Sequence, residues 1–208
     1  MSSERTANVL DMFHGDNQEH VPDFAALKRD GIIAVFHKAT QGTRYIDPRY
    51  AGRKAAAKAA GMPFGSYHFG DATDEKAQLG HFLSIVRPQP GEQLALDYEK
   101  IPGGATMSLR QAYWFLLALG HWGKPWLYSG DLIRETLTQH GGGYQDPVMT
   151  GAPEYFVQCR LWLAEYGPVE KVPWPWKTAD MWQFSESGQV AGIAGRVDLN
   201  YYSGAAFP

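Results

Sequence analysis

Short apolar runs alternating with helix-forming segments dominate this 208-residue chain, and that alternation confines it to an α/β architecture. Val9–Phe13, Ile32–Phe36, Met62–Phe69, Gln93–Tyr98 and Pro125–Ser129 read as strands. Helices are expected between them. Asp23 caps a short one reaching Arg29, Pro48 opens one that Gly61 stops, and another runs from Thr73 to Val86. Ser108 caps a helix to about Trp122, and Asp131 starts a shorter one. After Gln139 the rhythm changes. Gly141–Gly143 and Pro168–Pro175 mark loops, while Val157–Ala164, Ala179–Phe184 and Arg196–Leu199 are strand-like with no obvious helix between them. Five βα units followed by three strands make eight, and closing them removes every sheet edge. The expectation is a single α/β domain over 1–208, an irregular (β/α)5(β)3 barrel, with 1–7 a flexible N-terminal segment.

A hydrophobic share of 44% supplies a sizeable core. A net charge of −3 gives no basic footprint, so nucleic acid is not an expected partner. Seven Trp and eleven Tyr offer flat faces for sugar rings, although such residues also fill ordinary cores. Cys159 is the only cysteine, which rules out an intramolecular disulfide, and its apolar setting reads as a buried, inert thiol. Met1–Asn8 is polar with no apolar signal core behind it, and no window approaches membrane-span length. Synthesis in the cytoplasm without an export signal, and no membrane insertion, are the expectations. The histidines lack metal-ligand spacing, and no nucleophile elbow, Walker loop or dinucleotide fingerprint occurs. Neither a metal nor a cofactor is expected.

The chemistry concentrates in Leu94-Ala95-Leu96-Asp97-Tyr98-Glu99. On a strand, Asp97 and Glu99 project to one side, their Cα atoms about 6.5 Å apart. Like charges that close raise one pKa and leave the other acid charged. A proton donor beside a carboxylate is what glycosidic cleavage requires. Acids at a strand end also suit simple loop capping, and the pair alone leaves both readings open. Barrel chemistry sits at the C-terminal strand ends. Asp11, His37-Lys38, His68, Asp97 with Glu99, Gln183 and Asp198 all fall there. Asp11 and Asp198 equally suit loop caps, and a histidine placed like His68, between Tyr67 and Phe69, is more often a satisfied buried histidine than a catalyst.

Seven segments in order resemble glycoside hydrolase family 25, the Chalaropsis-type muramidases. They are Val9-Leu10-Asp11-Met12-Phe13-His14, Lys38-Ala39-Thr40-Gln41-Gly42 with Tyr45-Ile46-Asp47-Pro48, Gly65-Ser66-Tyr67-His68-Phe69 and Leu96-Asp97-Tyr98-Glu99. Leu127-Tyr128-Ser129-Gly130, Leu161–Tyr166, and Met181-Trp182-Gln183-Phe184 with Gly192–Asn200 complete the set. Two departures stand out: Gln41 where the family pattern has Glu, and Met12-Phe13 where Val-Ser is commoner.

The resemblance implies a TIM-barrel-like peptidoglycan hydrolase that cleaves the β-1,4 bond after N-acetylmuramic acid. Glu99 becomes the expected general acid, and Asp97 the group that orients the substrate's 2-acetamido nitrogen during substrate-assisted, retaining hydrolysis. Asp11 and Asp198 complete an acidic floor. Tyr67, Tyr128, Trp182, Gln183, His14 and His68 are the substrate-binding candidates. A barrel glycosidase acting on chitin-like glycans and a non-catalytic glycan-binding module are the alternatives. Glycan strands are the expected partner, the chain is expected to be a monomer, and its action is expected on the cell wall or periplasmic peptidoglycan. Phage endolysin release or secretion-system delivery would bring it there.

Overall fold

The computed structural model describes residues 6–15, 20–140 and 152–208. The strands are β1 (Val9–Met12), β2 (Ala34–Gln41), β3 (Tyr45–Ile46), β4 (Phe64–Phe69), β5 (Gln93–Asp97), β6 (Trp126–Ser129), β7 (Arg160–Ala164), β8 (Met181–Gly188) and β9 (Val197–Tyr202). The α-helices are α1 (Phe24–Arg29), α2 (Tyr50–Ala59), α3 (Glu75–Val86), α4 (Leu109–Leu119), α5 (Asp131–His140) and α6 (Ala152–Phe156).

Neighbouring strands run parallel from β1 through β2, β4, β5, β6 and β7 to β8. β9 closes the ring, pairing antiparallel with both β8 and β1. The closed barrel therefore has eight strands, and β3 is a short antiparallel flank on β2. This is the expected (β/α)5(β)3 order in one TIM-like domain.

Alternation along each strand separates two layers. Phe36, Tyr67, Ala95, Trp126, Tyr128, Trp162 and Met181 fill the barrel interior. Leu94, Leu96, Leu127, Leu161, Leu163 and Trp182 face the helices. Gly65 is required by this packing, because a Cβ there would meet the Phe36 ring at 2.2 Å. Helix starts follow side-chain chemistry. Asp23 accepts from the Ala26 N–H at 2.9 Å, and Ser108 with Gln111 forms a reciprocal capping box.

Several boundaries differ from the sequence reading. α3 starts at Glu75 rather than at about Thr73, capped by Asp74, whose carboxylate accepts from the Ala77 N–H at 2.8 Å. α6 occupies residues ahead of β7, so Val157 belongs to a turn rather than a strand. β2 and β8 both extend well past their expected ends, for reasons that matter at the site. Cys159 is buried, as expected. The Gly141–Gly143 loop and the first five residues of the N-terminal segment lie outside the described residues.

Candidate active site

Ala95 faces the barrel interior, so the period of β5 sends Asp97 the same way and Leu96 towards the helices. The chain stays extended one residue further, where the Tyr98 N–H donates to the Tyr128 carbonyl at 2.9 Å. Tyr98 is consequently buried in the outer core, while Asp97 and Glu99 line one cavity at the C-terminal mouth of the barrel. The cavity holds about 300 Å³, and Asp11, Asp198, Lys38 and Glu186 share its wall. Tyr67, Tyr128, Trp162 and Tyr166 supply its aromatic lining.

The acidic floor is built by β1, β8 and β9. Asp11 and Asp198 are directly opposite in the antiparallel β1–β9 register. Asp11 Oδ1 accepts from Gln183 Nε2 at 2.9 Å and from Asn200 Nδ2 at 2.8 Å. Gln183 Nε2 also reaches Asp198 Oδ2 at 3.4 Å. The Tyr128 and Tyr166 hydroxyls donate to Gln183 Oε1 at 2.8 and 2.9 Å, and Trp162 Nε1 donates to Asn200 Oδ1 at 2.6 Å. Every polar atom of the two amides is engaged, which fixes their orientation. Burial still raises the Asp11 carboxyl above its ordinary range, against those donated hydrogen bonds.

Asp97 is buried, and its Oδ1 has no hydrogen-bond partner among the described residues. Burial first, then the charge of Glu99, push its carboxyl well above the usual range. Glu99 is raised to about 7, first by burial and then by Asp11 and Glu186, with Lys38 opposing. Both acids of the pair therefore hold protons more tightly than free carboxyls do. Among the described residues no group of three or more His, Cys, Asp or Glu is placed to hold a metal ion.

The structure brings Asp11, Tyr67, Asp97, Glu99, Tyr128 and Asp198 together around the cavity, with Gln183 bonded to its floor. It does not bring His68 or Trp182 there. His68 takes the opposite parity to Tyr67 and stacks on Phe115 with ring centroids 5.1 Å apart. Its Nδ1 accepts from Thr40 Oγ1 and its Nε2–H donates to Gln78 Oε1, while burial lowers its pKa to about 4. That is a neutral core histidine. Trp182 alternates with Gln183 and sends its indole N–H outward to the Glu165 carbonyl at 2.6 Å. His14 sits at the rim, where its ring meets Asp47 at 3.1 Å and the Tyr45 hydroxyl at 2.9 Å.

Six cavity residues were not among the catalytic or substrate-binding candidates: Phe13, Lys38, Phe69, Trp162, Tyr166 and Glu186. Lys38 carried a signal, since it stands at a strand end within a family motif. Glu186 carried none. It reaches the cavity because β8 runs to Gly188 through two register shifts against β9.

An eight-stranded barrel with a carboxyl pair in the cleft at its C-terminal mouth defines a glycosidase-type site. The chain belongs to the glycosyl hydrolases family 25, whose profile matches residues 11–193. It is 27% identical over 203 residues to Lysozyme M1 of Streptomyces globisporus, a match covering 88% of this chain and 64% of that protein. It is 29% identical over 201 residues to the Autolytic lysozyme of Clostridium acetobutylicum, covering 93% of this chain and 55% of that one. The chain thus spans less than two thirds of the length of either relative. The fold matches the bacterial lysozyme from Streptomyces coelicolor with a TM-score of 0.78 at 24% identity, over 98% of this chain and 95% of that one.

Proposed function

We propose that this chain is a muramidase that hydrolyses the β-1,4 bond after N-acetylmuramic acid in peptidoglycan, with net retention through substrate assistance. The observation that carries the reading is the acid pair itself: Asp97 and Glu99 line one cavity, and Glu99 is held near neutrality. Glu99 protonates the glycosidic oxygen, then deprotonates the incoming water. The buried Oδ1 of Asp97, without a partner among the described residues, is an acceptor that a 2-acetamido N–H satisfies. Such a donor stabilises the ionised form of Asp97, so substrate binding moves the shared proton onto Glu99. The acetamido oxygen, its nucleophilicity raised through that hydrogen bond, attacks the anomeric carbon and forms an oxazolinium-type intermediate.

Asp11 and Asp198, oriented by Gln183 and Asn200, stabilise the positive charge that develops on the ring. Tyr67 and Tyr128 contact the sugar from the cavity wall. The site of action is the bacterial wall, and the chain works as a single catalytic domain. Mass spectrometry of digested peptidoglycan tests the assignment: new reducing ends on N-acetylmuramic acid are expected. Glu99→Gln should lower turnover by at least about 100-fold with folding intact. Release from chitin oligomers alone, or near-normal turnover in a well-folded Glu99→Gln variant, overturns it.

A further inference from the structure

Lys38 is the only lysine or arginine lining the cavity among the described residues, against five carboxyls: Asp11, Asp97, Glu99, Glu186 and Asp198. An irregularity in β2 brings it into position, because the register with β4 slips between Lys38 and Thr40. Ala39 packs in the outer core, and Thr40 also turns that way, reaching His68 Nδ1 at 2.8 Å. Residues three apart on an unbroken strand face opposite sides. The bulge returns Gln41 to the face of Lys38, and the ammonium donates to Gln41 Oε1 at 2.7 Å. The rings of Phe69, Tyr45 and Phe13 surround the same ammonium at 4.6, 5.6 and 5.9 Å.

Gln41 therefore orients the cation without neutralising it. The groups that face Lys38 are Asp97 at the end of β5, Glu99 beyond it, Asp47 after β3, Asp11 on β1, Glu186 on β8 and Asp198 on β9, with the phenols of Tyr45, Tyr67, Tyr128 and Tyr166 and the rim imidazole of His14. Asp47 is already occupied by the backbone N–H groups of His14 and Arg49. Burial lowers the lysine's pKa, and the carboxylates, Asp97 foremost, oppose that.

We propose that Lys38 is the positioning cation of the acid pair: oriented by the neutral amide of Gln41, it keeps one carboxyl of Asp97–Glu99 charged while the other carries the proton. The inference rests on the acid-pair reading above and adds what governs the pair's ionisation. Removing the cation disfavours both carboxylates, so both titrations move to higher pH. A carboxylate at position 41 moves them the same way, because it draws the ammonium's charge to itself.

Carboxyl ¹³C NMR titration of Asp97 and Glu99 in the full chain reads this directly. Lys38→Met should raise the pair's titration midpoints by about one pH unit or more. Gln41→Glu should raise them by about half a unit, and Lys38→Arg should leave them near wild type. The limbs of the kcat/KM profile on peptidoglycan should follow. Unmoved midpoints in Lys38→Met overturn the proposal, as does a Lys38→Arg shift equal to that of Lys38→Met, which marks a packing role. If Lys38→Met does not fold, Gln41→Glu decides, and unmoved midpoints there overturn it. A wild type that titrates as described yet releases no muropeptides sinks the muramidase reading and leaves this one standing.

Discussion

Replacing Glu99 with Gln removes a half-buried ionisable group from the cavity, and its effect on stability follows from the acid's displaced titration. Glu99 is held at about 7 in the folded chain against an ordinary 4.5. A group whose folded pKa is raised contributes fully below its unfolded pKa, and that contribution is lost as pH rises through the folded value. The wild type therefore loses stability, relative to a neutral isostere, between about pH 4.5 and 7. At about 1.36 kcal/mol per unit the full displacement is worth roughly 3 kcal/mol, and solvent access to the half-buried side chain reduces it to about 2.

Glu99→Gln should match the wild type at about pH 4 and exceed it by about 2 kcal/mol at about pH 8. Relief of Asp97 adds to the gain in the same direction, since the charge of Glu99 is one cause of its raised pKa. Urea denaturation at both pH values, with slopes compared to confirm two-state behaviour, measures the difference. A variant no more stable than wild type at pH 8, or equally stabilised at both pH values, refutes the reasoning. On the proposed role of Glu99, activity should be lost while stability rises, a trade of stability against activity.

Gln183→Leu strips Asp11 of one donor and the Tyr128 and Tyr166 hydroxyls of their shared acceptor. It should cost about 2–3 kcal/mol in thermal or urea unfolding and depress kcat more than KM. Gln78→Leu should destabilise the chain by about 1–3 kcal/mol, because it removes the His68 Nε2–H acceptor and the ties to Asp71 and Thr73. Its kcat/KM should stay near wild type, and a large loss of turnover in a folded Gln78→Leu variant contradicts the core role of His68.

Fold class was legible because the eight barrel strands and the helices between the first six advertise themselves locally, whereas the short β3 and α6 do not. Eight apolar runs appear in the order in which the barrel closes, and Asp23 and Ser108 cap the helices they were expected to cap. The acid pair was legible for the same reason, since a two-residue strand period puts Asp97 and Glu99 on one side wherever the strand lies. His68 and Trp182 show where local reading stops. Their periodicity relates them to Tyr67 and Gln183 but does not say which set faces inward, and the inner layer took Tyr67 and Gln183.

The amino-acid sequence by itself determined the element order, the shared face of Asp97 and Glu99 and the family to which the chain belongs, all properties of short segments and their succession. Only the tertiary structure decided which face of each strand became the cavity and where β2 and β8 break register. Those breaks arise from pairing partners distant in the chain. They turn Gln41 back towards Lys38 and carry Glu186 over the acids. Charge balance at the candidate site is therefore a product of barrel closure, which no local pattern encodes.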